Sequence, residues 1–154
     1  LFVSGGTRLH YSSAAQSLTN LADASGALSV GAASWRPPYA VIPDSSQGPT
    51  KGPGGVAERG LAQPGIVAYG GVSTASAGIF GGSAAAVPHV AGAAALILGR
   101  SPDWGPDEVE AFLFQHARDN LPPAGWDPLY GHGSLYLGSP VPLTTRLWLP
   151  FVTR

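Results

Sequence analysis

Phe80-Gly81-Gly82-Ser83-Ala84-Ala85-Ala86-Val87-Pro88-His89-Val90-Ala91-Gly92 is the stretch on which the reading of the fold turns. Small residues lead into an apolar run that continues to Leu98 and meets Gly99. Ser83 as a capping hydroxyl, the alanines for propensity and Gly99 as a stop predict a helix over 83–99. Apolar side chains surround that helix on nearly every side, which predicts a buried central helix. A small-residue turn feeding a helix N-terminus is also a layout that holds a nucleophilic hydroxyl. Free backbone N–H groups and the positive dipole end there stabilise developing negative charge.

Downstream, Gly105-Pro106-Asp107-Glu108 opens a second helix, with proline in the first turn and acids that complement the dipole. Val109, Phe112, Leu113 and Ala117 recur at helical spacing and predict one buried face. A turn through Pro122-Pro123 leads to Tyr130-Gly131-His132-Gly133 and a final strand over 134–137. Upstream, Leu1 to Ser4 reads as a short strand entering the Gly5-Gly6 turn. Ala27 to Ala32 reads as a second strand, bounded by Ser25-Gly26 and by a loop from Trp35 to Pro38. Leu61 to Gly65 is a turn into a strand over 66–69. Turn chemistry dominates 43–55, which predicts an exposed loop. Small residues dominate 70–82, which predicts a flexible connection. Strands alternating with helices give an α/β domain.

Composition bounds the function. A length of 154 residues is one domain's worth of chain and enough for a real core. Only 11% of residues are charged and the formal net charge is −1, so no electrostatic case exists for nucleic acid or an anionic membrane surface. Gly and Pro number 22 and 15 but fall between apolar segments, which fits a loop-rich globular domain. No cysteine is present, so disulfide and thiol chemistry are excluded. The longest apolar run, Val90 to Leu98, is about half the roughly 20 residues of a spanning helix. The opening residues carry neither an initiator Met nor a basic leader. A strand-like start of that kind leads to the expectation of further chain upstream.

Several segments then share one resemblance. Gly82 to Gly92 resembles the G-T-S-x-A-x-P-H-V-A-G nucleophile motif of the subtilisin-like serine proteases. Ala27-Leu28-Ser29-Val30-Gly31-Ala32 is similar to their V-I-x-V-G-A strand, and Ser45-Ser46-Gln47-Gly48-Pro49-Thr50 to their S-S-R-G-P-T turn. Leu61-Ala62-Gln63-Pro64-Gly65 resembles L-V-A-P-G, with Gln63 where alanine is usual. Ser101-Pro102-Asp103-Trp104 into the 107–113 helix resembles the segment that follows the nucleophile helix, and Tyr130-Gly131-His132-Gly133 the closing G-x-G turn. Order and spacing agree from near the first residue to about Gly138.

The resemblance implies a subtilisin-like α/β fold, a mostly parallel sheet with a buried central helix, here as its C-terminal half. It also implies peptide-bond hydrolysis by an Asp, His, Ser triad with an Asn-assisted oxyanion hole. No match to the family's D-[ST]-G or H-G-[TH] motifs occurs in this sequence. Anchored without gaps on Pro88-His89-Val90-Ala91-Gly92, the alignment puts Ala84 at the nucleophile position and Ser83 on the preceding threonine. A slide of one residue would make Ser83 the nucleophile and Val87 an insertion. That slide would rotate everything behind it by about 100° and misplace Val90, Ala94 and Ile97, so Ala84 is preferred. Val3-Ser4-Gly5-Gly6 places Thr7 at the oxyanion position.

Other polar residues have plainer readings. His89 is expected as a packed, hydrogen-bonded histidine, His116 as a helix C-terminal cation, His132 as turn chemistry and His10 as a surface or packing residue. Asp103, Asp107, Glu108 and Glu110 read as a solvated helix start. Subtilases often bind calcium, but no loop here spaces acidic ligands for it, so no cofactor or metal is expected. The resulting division is a peptidase-like part over 1–138 and a C-terminal tail over 139–154, whose Trp148 and Phe151 are expected to dock on their own domain, the alternative being that they seal a hydrophobic groove or a missing partner surface. The chain is thus expected to be a truncated or inactivated piece of a secreted serine endopeptidase. Its partners would be a polypeptide substrate or peptide ligand and the other half of the domain, with no nucleic acid and no membrane. The alternative is a non-catalytic peptide-binding module that keeps the cleft and pairs extended peptides with exposed strands.

Overall fold

Two parallel strands hold the centre. β1 (Val30–Ser34) pairs in register with β4 (Ile66–Gly70), Val30 opposite Ile66 and Ser34 opposite Gly70. The computed structural model describes residues 14–52, 55–76, 78–119 and 124–138. Alternation across the pleat gives the pair two buried faces. Ala32, Ile66 and Ala68 face the helices, while Ala33 and Val67 face Tyr130 on the other side. Small residues in β1 let α1 (Gly82–Arg100) lie close, and Ala86, Val90, Ala93 and Ile97 fill that contact. α2 (Pro106–His116) adds Val109 and Leu113 to the same core.

The chain then returns to β4 from its far edge. Val67 N–H donates to the Gly133 carbonyl at 3.0 Å and Leu135 N–H donates to the Val67 carbonyl at 2.8 Å. Ser134 therefore forms a parallel bridge with Val67, and an antiparallel one with Arg118. The expected strand over 134–137 is present only as these isolated bridges. Gly131 (φ +63°) turns this segment, and a β-carbon there would collide with the Gly65 carbonyl.

Several expectations need correction. The second strand begins at Val30 and not at Ala27, because a side chain takes the place of the partner strand. The buried Gln63 amide donates to the Ala27 carbonyl at 3.1 Å, and its oxygen accepts from the Ser29 N–H and hydroxyl at 3.2 and 2.8 Å. Residues 43–55 are not simply an exposed loop. Ser45 and Thr50 are buried, the Ser45 hydroxyl accepts the Ala32 N–H at 2.9 Å, and β2 (Lys51–Gly52) pairs antiparallel with β3 (Gly55–Arg59). Gly48 lies so close to Gln63 that a β-carbon would meet its carbonyl, which is how the two motif turns come together. Residues 70–82 contain a ribbon, β5 (Val72–Thr74) with β6 (Gly78–Phe80), instead of an unstructured connection.

The central helix is buried on one face only. Leu96 is 70% exposed, and Val87 and Leu98 are also open to solvent among the described residues. α1 is long and apolar enough, by length and composition alone, to cross a bilayer, which the count of consecutive apolar residues did not register. Its inner face nevertheless belongs to the core of this domain. Gly99 lies inside the helix, which ends at Arg100. The predicted strand over 1–4, Thr7, His10 and the tail over 139–154 fall outside the described residues.

Candidate active site

The N-terminus of α1 is where the sequence places its chemistry, and its backbone is open. Gly81 is the N-cap and no side chain bonds the first turn. Ser83, expected as the capping residue, is instead the second helical residue, so its hydroxyl lies beyond the cap. Gly82 has φ +70°, a conformation that costs other residues but not glycine, and it bends β6 into the helix. The end of β4 supports this bend: a β-carbon on Gly70 would sit 3.1 Å from the Gly82 carbonyl. The first turn thus presents backbone N–H groups without intrahelical partners.

Ala84 and Ser83 are both exposed on this turn. Pro88 has no N–H to give the Ala84 carbonyl, so the helix opens with one bond fewer. Ala84 offers a methyl group, which cannot attack a carbonyl. Ser83 has a hydroxyl, but no histidine among the described residues is bonded to it. His89 Nδ1 is 2.8 Å from the Ala85 carbonyl, and the residue is exposed, not packed as expected. His116 Nδ1 is 2.9 Å from the Phe112 carbonyl, and its ring stacks on Phe112. His132 stacks on Phe114 with centroids 4.1 Å apart. Burial lowers the His132 pKa below the ordinary imidazole value, against the opposing charges of Glu110 and Asp119.

Two depressions flank the helix start. One of about 280 Å³ lies between Ser83, Val87, Ser46 and the residues leading into β1. The other, of about 700 Å³, is lined by Ser34, Arg36, Asp44, Ser73, Ile79 and Gly82, among others. Trp35 beside it donates its indole N–H to the Gly71 carbonyl at 3.1 Å, and the Arg36 guanidinium lies over the Trp35 ring at 4.7 Å. Sequence reasoning missed Arg36, Asp44 and Ser73, because loop residues after β1 and the β5 strand bring them to the helix from separate places and no local motif marks them. Among the described residues no group of three His, Asp or Glu side chains gathers as a metal site.

A parallel β pair covered by helices, with an uncapped glycine turn feeding the central helix, defines an α/β domain built around a helix-entry site. A sequence model of the subtilase family matches residues 3–133, and the chain belongs to that family. The family is one of subtilisin-like serine peptidases. A search of curated proteins found no matching relative.

Proposed function

We propose that this chain is the C-terminal half of a subtilisin-like serine endopeptidase domain in which alanine replaces the nucleophilic serine. The observation that carries the reading is Ala84, four residues before Pro88-His89 on the first turn of α1. The ungapped alignment is preferred because one residue inserted before Pro88 would rotate the face of Val90, Ala93 and Ile97 by about 100° relative to the motif. The family match over most of the chain supports the class. On this reading Thr7 stands at the oxyanion position, the polypeptide partner is a substrate or ligand, and the protein is secreted as its family's peptidases are. The chain by itself does not cut peptides.

A fluorophosphonate probe tests this directly. The unmodified chain is expected to take no label. Ala84→Ser is expected to label only when mixed with a subtilase segment bearing D-[ST]-G and H-G-[TH]. Label on Ser83 of the unmodified chain would overturn the assignment.

The large depression beside the helix entry favours a second reading, a non-catalytic module that binds extended peptides in a retained cleft. Calorimetric titration with an unstructured peptide pool discriminates: saturable heat without cleavage supports the module, and no heat at high peptide concentration removes it.

A further inference from the structure

The loop that follows β1 carries two charged residues to the depression beside the α1 entry, and it holds them differently. Arg36 is engaged. Its N–H donates to the Ser34 hydroxyl at 3.1 Å, its carbonyl accepts the Tyr39 N–H at 2.8 Å, and its guanidinium lies over the Trp35 ring. That ring is in turn tied to the Gly71 carbonyl. Asp44 is unengaged: among the described residues no hydrogen bond or ion pair involves its carboxylate.

An unpaired carboxylate on a surface is ordinary, since water satisfies it. Two features set Asp44 apart. The backbone on either side of it is fixed. Ile42 N–H donates to the Ala32 carbonyl at 3.0 Å, Ser45 N–H donates to the Ile42 carbonyl at 3.0 Å, and the buried Ser45 hydroxyl accepts the Ala32 N–H. The turn bearing Asp44 is thereby anchored to β1. Its surroundings are also apolar, because Trp35, Ile42 and Ile79 line the same depression, and Trp35 and Ile79 are open to solvent.

An apolar wall with one fixed anion complements a lysine or arginine side chain. The alkyl stem of such a side chain packs on apolar surface while its cationic head seeks a carboxylate. We infer that the depression selects extended peptides by a basic side chain, with Asp44 receiving the cation and Ile42 and Ile79 the stem. The inference rests on the reading of this depression as a peptide cleft and adds the class of peptide it takes. An acidic side chain is disfavoured, because Asp44 repels it and the one cation lining the depression is held against the Trp35 ring. Arg36 also opposes an incoming cation, and Asp44 is exposed, so the preference is modest.

Three blocked synthetic peptides of one glycine- and serine-rich sequence, differing at a single central lysine, norleucine or glutamate, test this by calorimetric titration of the full chain. Norleucine keeps the stem and removes the charge. The lysine peptide is expected to bind about threefold to fivefold tighter than the norleucine peptide, and the glutamate peptide weakest. Asp44→Asn is expected to bring lysine down to the norleucine level, and Asp44→Lys to turn the preference toward glutamate. Asp103→Asn, which removes an exposed acid beyond the other end of α1, is expected to leave the ratio unchanged.

Equal binding of lysine and norleucine peptides overturns the inference and leaves the peptide cleft standing. Tightest binding of the glutamate peptide overturns it too, since it gives the selection to Arg36. A ratio that falls as much in Asp103→Asn as in Asp44→Asn assigns the preference to overall charge, and also overturns it. Heat from none of the three peptides removes the peptide cleft and the inference with it. If Asp44→Asn melts early, the unmodified chain decides: the lysine-to-norleucine ratio is expected to shrink as sodium chloride rises toward about 1 M, where the screening length is about 3 Å. A ratio unmoved by salt overturns the assignment to Asp44.

Discussion

The two helices begin in opposite ways. α2 starts at Gly105 with its first turn answered from its own sequence: Pro106 sets φ, Asp107 and Glu108 face the dipole, and the Glu108 carboxylate accepts the Gly105 N–H at 2.9 Å. α1 starts at Gly81 with no acid, no side-chain cap and a glycine at φ +70°. One start is finished as structure, and the other leaves its N–H groups available. The contrast extends along the helices. α2 buries Leu113 almost completely, whereas α1 turns Leu96 to solvent. Helix α2 is built to hold the domain together, and α1 both holds it and presents something.

The widest separation between the helices is expected in their leucines. Leu113→Ala, at a site 1% exposed, should cost about 2–5 kcal/mol in denaturant melts, while Leu96→Ala, 70% exposed, should stay within about 0.5 kcal/mol. A large loss for Leu96→Ala would show the outer face of α1 to be covered in solution and would erase the contrast. Next come the starts themselves. Gly82→Ala forces a β-carbon into the left-handed region and should cost about 1–2 kcal/mol although nothing crowds it. Glu108→Ala removes one exposed capping bond and should cost about 0.5–1 kcal/mol. If Gly82→Ala proves neutral, the glycine bend is not required and the α1 start is an ordinary one.

The smallest effect lies at the other end of α2, where imidazoles stack on Phe112 and Phe114. The His132 pKa is lowered on folding by burial, so the unfolded chain holds the extra proton more readily. Its contribution to stability is complete above the unfolded value near 6.5 and declines as pH falls from there through the folded value. Thermal melts between pH 8 and pH 5 should show stability falling toward acid, and His132→Phe should flatten that slope. An unchanged slope would assign it to another group.

Some of this was legible from residue order alone. Both helices were readable because their apolar spacing and their prolines and glycines act within a few residues, and the strand after Pro64-Gly65 for the same reason. The family was readable because its short motifs keep their order. The start of β1 was not, since Gln63 reaches it from 36 positions away, bonding Ala27 through a side chain that no strand pattern encodes. The burial of Ser45 and Thr50 was hidden likewise, because polar residues in a proline- and glycine-rich stretch look solvated until their hydroxyls find backbone N–H groups. At the site, the sequence located Ala84 and Ser83 at the helix entry but misplaced the cap. A serine at a helix start and a glycine one residue outside it are equally plausible caps until the backbone angles are known. Arg36 and Asp44 could not be placed beside the entry, since loop folding alone brings them there.

The return of the chain to the far edge of β4 has a mechanical consequence. Any pull on the tail beyond Gly138 reaches the Gly133–Leu135 segment before it reaches a helix. That segment runs parallel to β4, with its bonds to Val67 lying across the direction of the load. Such bonds are strained together in shear and do not open one after another like a zipper.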